Sequence, residues 1–210
     1  MTRILLADDH AVVRLGLKQI LEAAIPGAVF GEAADGEEVL ATARAGGWDV
    51  LILDISLPGR SGLDVLKELR ETRPALPVLV LSMYPEEQFA VRVLRAGAAG
   101  YLAKRTAAAD LVTAVKRVLA GRKYVSPSLA ERLAGEIGLA SGRAPHELLS
   151  DREFQVFRLL AAGATVTAIA RELGLSVTTI STYRTRILEK MGMTTNADLV
   201  QYAIVNRIFD

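Results

Sequence analysis

A chain of 210 residues with 51% hydrophobic and 23% charged side chains has room for one large packed domain or two small ones. It contains no cysteine, which excludes disulfides, thiolate metal sites and thiol nucleophiles, and its two histidines, His10 and His146, are too far apart in sequence to indicate a histidine-based metal site or triad. The net charge of +1 neither favours nor opposes a polyanionic partner.

No apolar run reaches the roughly 18 residues of a membrane span. The first one, Ile4-Leu5-Leu6-Ala7, stops at Asp8-Asp9, too early for a signal peptide. A cytoplasmic location without membrane contact is expected.

In chain order, residues 3–7 read as a strand that ends at Asp8-Asp9-His10. Val12, Val13, Leu15, Leu17, Ile20 and Leu21 then recur at helical spacing. Residues 28–32 form a weaker strand. A helix over 35–45 follows, with Asp35 as N-cap and Glu38 at the capping-box position. Asp49-Val50-Leu51-Ile52-Leu53-Asp54 is a short apolar run ending at a carboxylate, the pattern of a strand buried on both faces, and Pro58-Gly59 forces the loop after it.

Helix 61–73 stops before Pro74, strand 77–81 ends at Ser82, helix 86–96 closes at Gly97, strand 100–102 ends at Ala103-Lys104, and helix 110–120 closes at Gly121. Strands alternating with helices in this way predict a parallel sheet covered on both faces over 1–122.

Over 123–148 the pattern weakens to a linker with one short helix. That helix starts at Ser126-Pro127 and runs to Ile137, and a Gly-, Ala-, Ser- and Pro-rich stretch follows over 138–145. Residues 149–210 carry no strand signal and read as a small all-α domain of four helices. The first is opened by the capping box Ser150-x-x-Glu153. The second spans 167–173. The third, capped by Ser176, runs to Met191, and the last covers 197–207. The second and third, joined across Gly174, have helix-turn-helix spacing.

Three strands of the first domain end in matched groups: Asp8 and Asp9, Asp54, and Lys104, with Ser82 ending a fourth. Clustered carboxylates repel one another unless a hard cation neutralises them, and such oxygen donors suit Mg²⁺. Lys104 adds a point charge suited to a phosphoryl oxygen. Asp54 can then attack a phosphoryl donor and carry an aspartyl phosphate.

These residues, with Leu57-Pro58-Gly59 and Tyr101-Leu102-Ala103-Lys104, resemble the receiver domain of a bacterial two-component response regulator. The resemblance implies a flavodoxin-like, doubly wound sheet of five parallel strands with Asp54 as phospho-acceptor. It implies that Asp9, Asp54 and the Ser56 carbonyl ligate Mg²⁺, with Asp8 acting through water. It also implies that Ser82 and Tyr101 form a switch pair beside Lys104, and that a sensor histidine kinase is the phosphodonor. Trp48 is expected to pack, and His10 to modulate the site or to be a solvated helix start.

Leu149-Ser150-Asp151-Arg152-Glu153, Ile169-Ala170-x-x-Leu173-Gly174-Leu175-Ser176 and Thr179-Ile180-Ser181-Thr182-Tyr183-Arg184 resemble a LuxR-type helix-turn-helix. Joined to a receiver, they resemble the NarL/FixJ family of transcription factors. On the long helix, Val177, Ile180, Ile187, Leu188 and Met191 fall on one side and should pack. Thr178, Thr182, Thr185, Arg186 and Glu189 fall on the other and should face a groove of double-stranded DNA, with Thr179, Ser181 and Lys190 counted among the contacts. Arg184, near the apolar edge, should reach toward a phosphate or an acidic partner.

From 150 to 210 there are seven Lys and Arg against six Asp and Glu. Ser181 stands where the family often has Lys, and Val166-Thr167-Ala168 where it often has Asn-Lys-Glu. Fewer cations mean fewer phosphate contacts, and threonine methyls and hydroxyls can still read thymine methyls and base edges. A homodimer is therefore expected when the chain is phosphorylated or bound to DNA.

The sequence reads as a phosphorylation-activated, DNA-binding response regulator that transfers a phosphoryl group only onto itself. Two alternatives stand beside it. One is a Mg²⁺-dependent phosphohydrolase with an Asp nucleophile, which would need a further general acid–base that Ile55 and Ser56 do not offer. The other is a receiver whose C-terminal bundle binds protein.

Overall fold

The computed structural model describes residues 1–84, 86–106, 108–131, 144–206 and 208. The chain divides into two compact units, Met1–Gly138 and Leu139–Asp210.

The first unit holds β1 (Arg3–Ala7), α1 (Ala11–Ala24), β2 (Val29–Ala33), α2 (Gly36–Ala45), β3 (Val50–Leu53), α3 (Gly62–Thr72), β4 (Val78–Ser82), α4 (Glu86–Arg95), β5 (Gly100–Ala103) and α5 (Ala108–Leu119). All strand pairs are parallel, in the order β2-β1-β3-β4-β5. The order reverses direction between β1 and β3, and crevices at such a switch point, outside the carboxyl ends of the strands, are where α/β sheets place ligands.

The predicted elements are present, with ends moved by a residue or two. β3 and β4 are buried along their whole length, as continuous apolar runs between two helical layers must be. One face of the core joins Ile4, Leu6, Ile52, Leu79 and Leu81 to Leu17 and Leu21 of α1 and to Leu111, Val115 and Val118 of α5.

Trp48 packs as expected. Its ring lies so close over Gly31 of β2 that a Cβ there would collide with it. Its indole N–H donates to the Thr42 carbonyl at 2.9 Å, and the Arg3 guanidinium sits 4.8 Å from the ring centre. Asp35 caps α2 by accepting from the Glu38 amide at 2.9 Å. The reciprocal half of the predicted box is displaced, because the Glu38 carboxylate accepts from the Ala34 amide at 2.7 Å.

After α5 the chain returns to the sheet. Tyr124 bridges to Gly100, and the Ser126 hydroxyl donates to the Glu86 carboxylate at 2.6 Å while accepting from the Leu129 amide at 3.1 Å. The helix predicted from Ser126-Pro127 begins at Pro127. Its continuation beyond Glu131, and the stretch 138–143 predicted as flexible, lie outside the described residues.

The second unit contains a short 3-10 helix, Pro145–Leu148, then α6 (Asp151–Ala161), α7 (Val166–Glu172), α8 (Val177–Met191) and α9 (Asn196–Val205). The Ser150–Glu153 capping box is complete. A second box, Thr195 with Asp198, opens α9, and Gly192 ends α8 in the left-handed conformation at φ 66°.

Phe154, Val156, Phe157, Leu160, Ile169, Ile180, Ile187 and Leu199 are buried. His146, predicted within the linker, belongs to this unit: its Nδ1 lies 2.8 Å from the Tyr202 hydroxyl, and its ring packs against Phe154. Among the described residues no helix is long and apolar enough to cross a membrane.

Candidate functional site

Strand register brings three of the predicted residues together. Ala7 pairs with Leu53, so the residues that follow, Asp8 and Asp54, leave the sheet side by side, and the Asp54 amide donates to the Ala7 carbonyl at 2.8 Å. Ser82 pairs with Ala103, and the Lys104 amide donates to the Ser82 carbonyl at 2.7 Å. The Lys104 side chain then crosses the β4 end. Its Nζ stands 2.6 Å from Asp8 Oδ2 and 2.8 Å from Asp54 Oδ2, with both carboxylates 2% exposed.

The second oxygen of each acid is also engaged. Asp54 Oδ1 accepts from the Ser56 amide at 3.1 Å, and Asp8 Oδ1 from the His10 amide at 2.9 Å. Asp9 is more open, and its Oδ1 lies 2.6 Å from His10 Nδ1.

Burial pushes the Asp54 carboxyl above its ordinary value, and Lys104 only partly offsets this. Burial also opposes the Lys104 charge, but Asp54 and then Asp8 hold its ammonium above the ordinary value. The two shifts differ in origin: burial raises the Asp54 carboxyl, whereas the facing carboxylates keep Lys104 charged, and two carboxylates meet a single ammonium.

That surplus of negative charge, with oxygen donors from Asp8, Asp9 and Asp54 at one sheet end, fits a hard divalent cation. Donor atoms of Asp8, Asp9 and His10 already lie within 4.8 Å of one another. The hydrogen bonds on Asp8 leave Asp9 the freer ligand of the pair.

Ser82 is fully buried, and its hydroxyl accepts from the Tyr84 amide at 3.2 Å. Tyr101 points inward, 1% exposed, and donates its hydroxyl to the Tyr84 carbonyl at 2.6 Å. Tyr84 is thus tied to both members of the predicted switch pair, and it stacks on Phe89 at 4.5 Å.

Besides Tyr84, two further supporting residues were not anticipated. Arg14, one turn into α1, donates to the Asp8 carbonyl at 2.6 Å and pairs with Glu32 at 2.9 Å. Gly62 opens α3 so close to the Asp54 carbonyl that any Cβ would collide with backbone. A glycine after an N-cap serine is the signal that could have marked it.

In the second unit, α8 buries Ile180, Ile187, Leu188 and Met191 as predicted. Val177 does not join them. It is 48% exposed because the first residue of the helix lies beyond the reach of the bundle. Thr178, Ser181, Thr182, Thr185, Arg186 and Glu189 are exposed, and Thr179 is half-buried beneath the Ser176 cap, its amide donating to Ser176 Oγ at 3.0 Å. Arg184, expected to reach a phosphate or an acidic partner, donates within the chain to the Asn196 side chain at 2.6 Å. Lys190 turns away from the exposed stripe and pairs at 2.6 Å with the buried Glu153.

The family of response regulator receiver domains matches residues 4–116, and the luxR family of bacterial regulatory proteins matches 147–203. The chain belongs to the response-regulator family. Its relatives include the response regulator GacA of Pseudomonas viridiflava, 37% identical over 100% of this chain and 99% of GacA, and UvrY of Escherichia coli K12, 33% identical over 97% and 94%. Among solved structures it resembles RcsB from Salmonella enterica serovar Typhimurium bound to promoter rprA in the presence of phosphomimetic BeF3-, with a TM-score of 0.63, 30% identity and 96% and 98% of the two chains covered. This response regulator therefore carries a receiver domain and a LuxR-type domain in the order the sequence indicates.

The Lys190–Glu153 pair joins the C-terminal turn of α8 to the capping box of α6. Burial alone would raise the Glu153 carboxyl, but the Lys190 ammonium and the Ser150 amide hold it below its ordinary value. A depressed carboxyl contributes stability that is present above its unfolded value and lost as pH falls through the folded one. Lys190→Gln should destabilise the second unit by about 1 kcal/mol at pH 7, since Lys190 itself is half exposed. The deficit should shrink on acidification. Thermal melts of both proteins from pH 7 to 3 check this. The slope of DNA affinity against salt should stay unchanged, whereas loss of a phosphate contact would lower it by about one.

Proposed function

We propose that this response regulator accepts a phosphoryl group on Asp54 from a sensor histidine kinase and thereby controls the binding of residues 149–210 to double-stranded DNA. The observation that carries the reading is the Lys104 ammonium set between the Asp8 and Asp54 carboxylates at 2.6 and 2.8 Å at the switch point of the sheet. When bound, Mg²⁺ supplies charge neutralisation to an incoming phosphoryl group, with Asp8, Asp9, Asp54 and the Ser56 carbonyl as its holders.

The chain's own part follows from geometry. Asp54 Oδ2 exchanges its Lys104 hydrogen bond for a bond to phosphorus as the bond from phosphorus to the donor nitrogen breaks. Lys104, already charged, then donates to a phosphoryl oxygen. The Ser82 hydroxyl, one pairing position from Lys104, turns to the same group, and Tyr101 carries the change to Tyr84.

Among the described residues only Lys104, Ser56 and the neighbouring Asp8 act on the Asp54 carboxylate. Among the described residues no other acid–base group contacts the Asp54 carboxylate itself, which supports self-transfer over turnover. The exposed hydroxyl-rich side of α8 and the promoter-bound structure of RcsB support DNA over protein as the partner of the second unit. With few cations on that side, two copies on a roughly palindromic site bind where one binds weakly. The cell compartment that fits these roles is the cytoplasm.

Incubation with a small phosphodonor, with Mg²⁺ or with a chelator, followed by peptide mapping tests the site. One phosphoryl group on the Asp54 peptide, formed only with Mg²⁺, is expected. A phosphoryl group on Asp8 or Asp9 contradicts the assignment.

A further inference from the structure

Thr178, Ser181, Thr182 and Thr185 lie at i, i+3, i+4 and i+7 and form one exposed stripe on α8. The Ser181, Thr182 and Thr185 hydroxyls donate to the carbonyls of Val177, Thr178 and Ser181 at 2.9, 3.0 and 3.2 Å. A carbonyl can only accept, so the hydroxyl hydrogen of each of these side chains is committed to the helix. Each oxygen keeps acceptor lone pairs, and the exposed side chains of Thr182 and Thr185 each carry a γ-methyl group. Among the described residues Thr178 keeps a hydroxyl with no partner, at the amino-terminal turn beside the exposed Val177. Arg186 and Glu189 flank the stripe with opposite charges.

We propose that this stripe reads thymine: the γ-methyls of Thr182 and Thr185 pack on thymine C5-methyl groups, and the committed hydroxyls accept from exocyclic amino groups. This rests on the reading that α8 enters a DNA major groove. The major-groove edge of guanine offers only acceptors, and a hydroxyl with no free hydrogen cannot answer them. Adenine and cytosine offer an amino donor, and thymine offers the one methyl group in the groove. The half-site therefore contains thymines at the positions under Thr182 and Thr185.

The test uses the full-length protein, treated with a phosphodonor and Mg²⁺, and a duplex recovered with it by selection from random sequence. Each thymine is replaced in turn by deoxyuridine, which deletes only the C5-methyl. Replacement at one position under each residue should weaken wild-type binding about fourfold, the equivalent of about 0.8 kcal/mol for one buried methyl-sized group. Thr182→Ser and Thr185→Ser keep the hydroxyl bond and lose the methyl. Each should bind the thymine duplex about fourfold more weakly and be indifferent to deoxyuridine at its own position, while still responding at the other's.

Equal wild-type affinity for thymine and deoxyuridine at every position overturns the proposal and leaves DNA binding standing. Discrimination that survives in both serine variants also overturns it. Recovery of no sequence above random DNA overturns the DNA-binding reading and this inference with it.

Discussion

Asp54→Asn should take up no phosphoryl group under conditions in which the wild-type chain takes up one. The amide keeps the shape of the carboxyl but is not a nucleophile, and no other carboxylate occupies its place. Asp8 has both oxygens bonded, to Lys104 and to the His10 amide, while Asp9 stands in the open beside His10. The variant should remain folded, because the buried position already favours an uncharged group. Intact-mass spectrometry paired with a thermal melt separates the loss of the acceptor from the loss of the fold. Uptake by the folded variant at half the wild-type level or more would place the acceptor elsewhere.

Lys104→Ala should have two effects of different origin. Removing the ammonium leaves Asp8 and Asp54, each 2% exposed, without their shared cation. Breaking a buried pair from one side costs about 3 kcal/mol or more, since the remaining charge is left unpaired. A dication can replace part of what is lost, so Mg²⁺ should raise the melting temperature of this variant by more than it raises that of wild type. The second effect is on signalling. Asp54 retains its nucleophile and should still be phosphorylated in Mg²⁺, but nothing then draws the phosphoryl oxygen toward β5, and the gain in DNA affinity should be lost. A Lys104→Ala protein that is as stable as wild type in a chelator would remove the ion-pair argument. One that responds fully to phosphodonor would remove Lys104 from the switch.

The receiver site could be read from the chain because parallel strands buried on both faces have an unmistakable signature, and because each ends where its apolar run meets a polar residue. Asp8, Asp54 and Lys104 needed only the strand order to be brought together, and the switch point between β1 and β3 supplies it. What escaped the reading depends on contacts between residues distant in sequence or on backbone partners. Arg14 holds a carbonyl, and Tyr84 links Ser82 to Tyr101 through its own amide and carbonyl, so neither leaves a side-chain pattern.

Lys190 stands among the expected DNA contacts, and that its long stem reaches Glu153, 37 residues earlier, is a contact no local pattern shows. Helical periodicity put Val177 inside, although a helix's first residue can project past the elements it packs on. The hydroxyl-rich stripe was legible as a pattern. That its hydrogens are committed to the helix is a property of rotamers, which no one-dimensional reading contains.

On the proposed function, a phosphoryl group on Asp54 governs the DNA affinity of the whole chain. The direct measurement is a binding titration of full-length wild type and Asp54→Asn on one selected, labelled duplex, each with and without phosphodonor in Mg²⁺. Wild type should bind about tenfold more tightly when phosphorylated, a coupling of about 1.4 kcal/mol, and Asp54→Asn should bind equally in both conditions. An Asp54→Asn protein that gains as much as wild type from the phosphodonor would contradict the account.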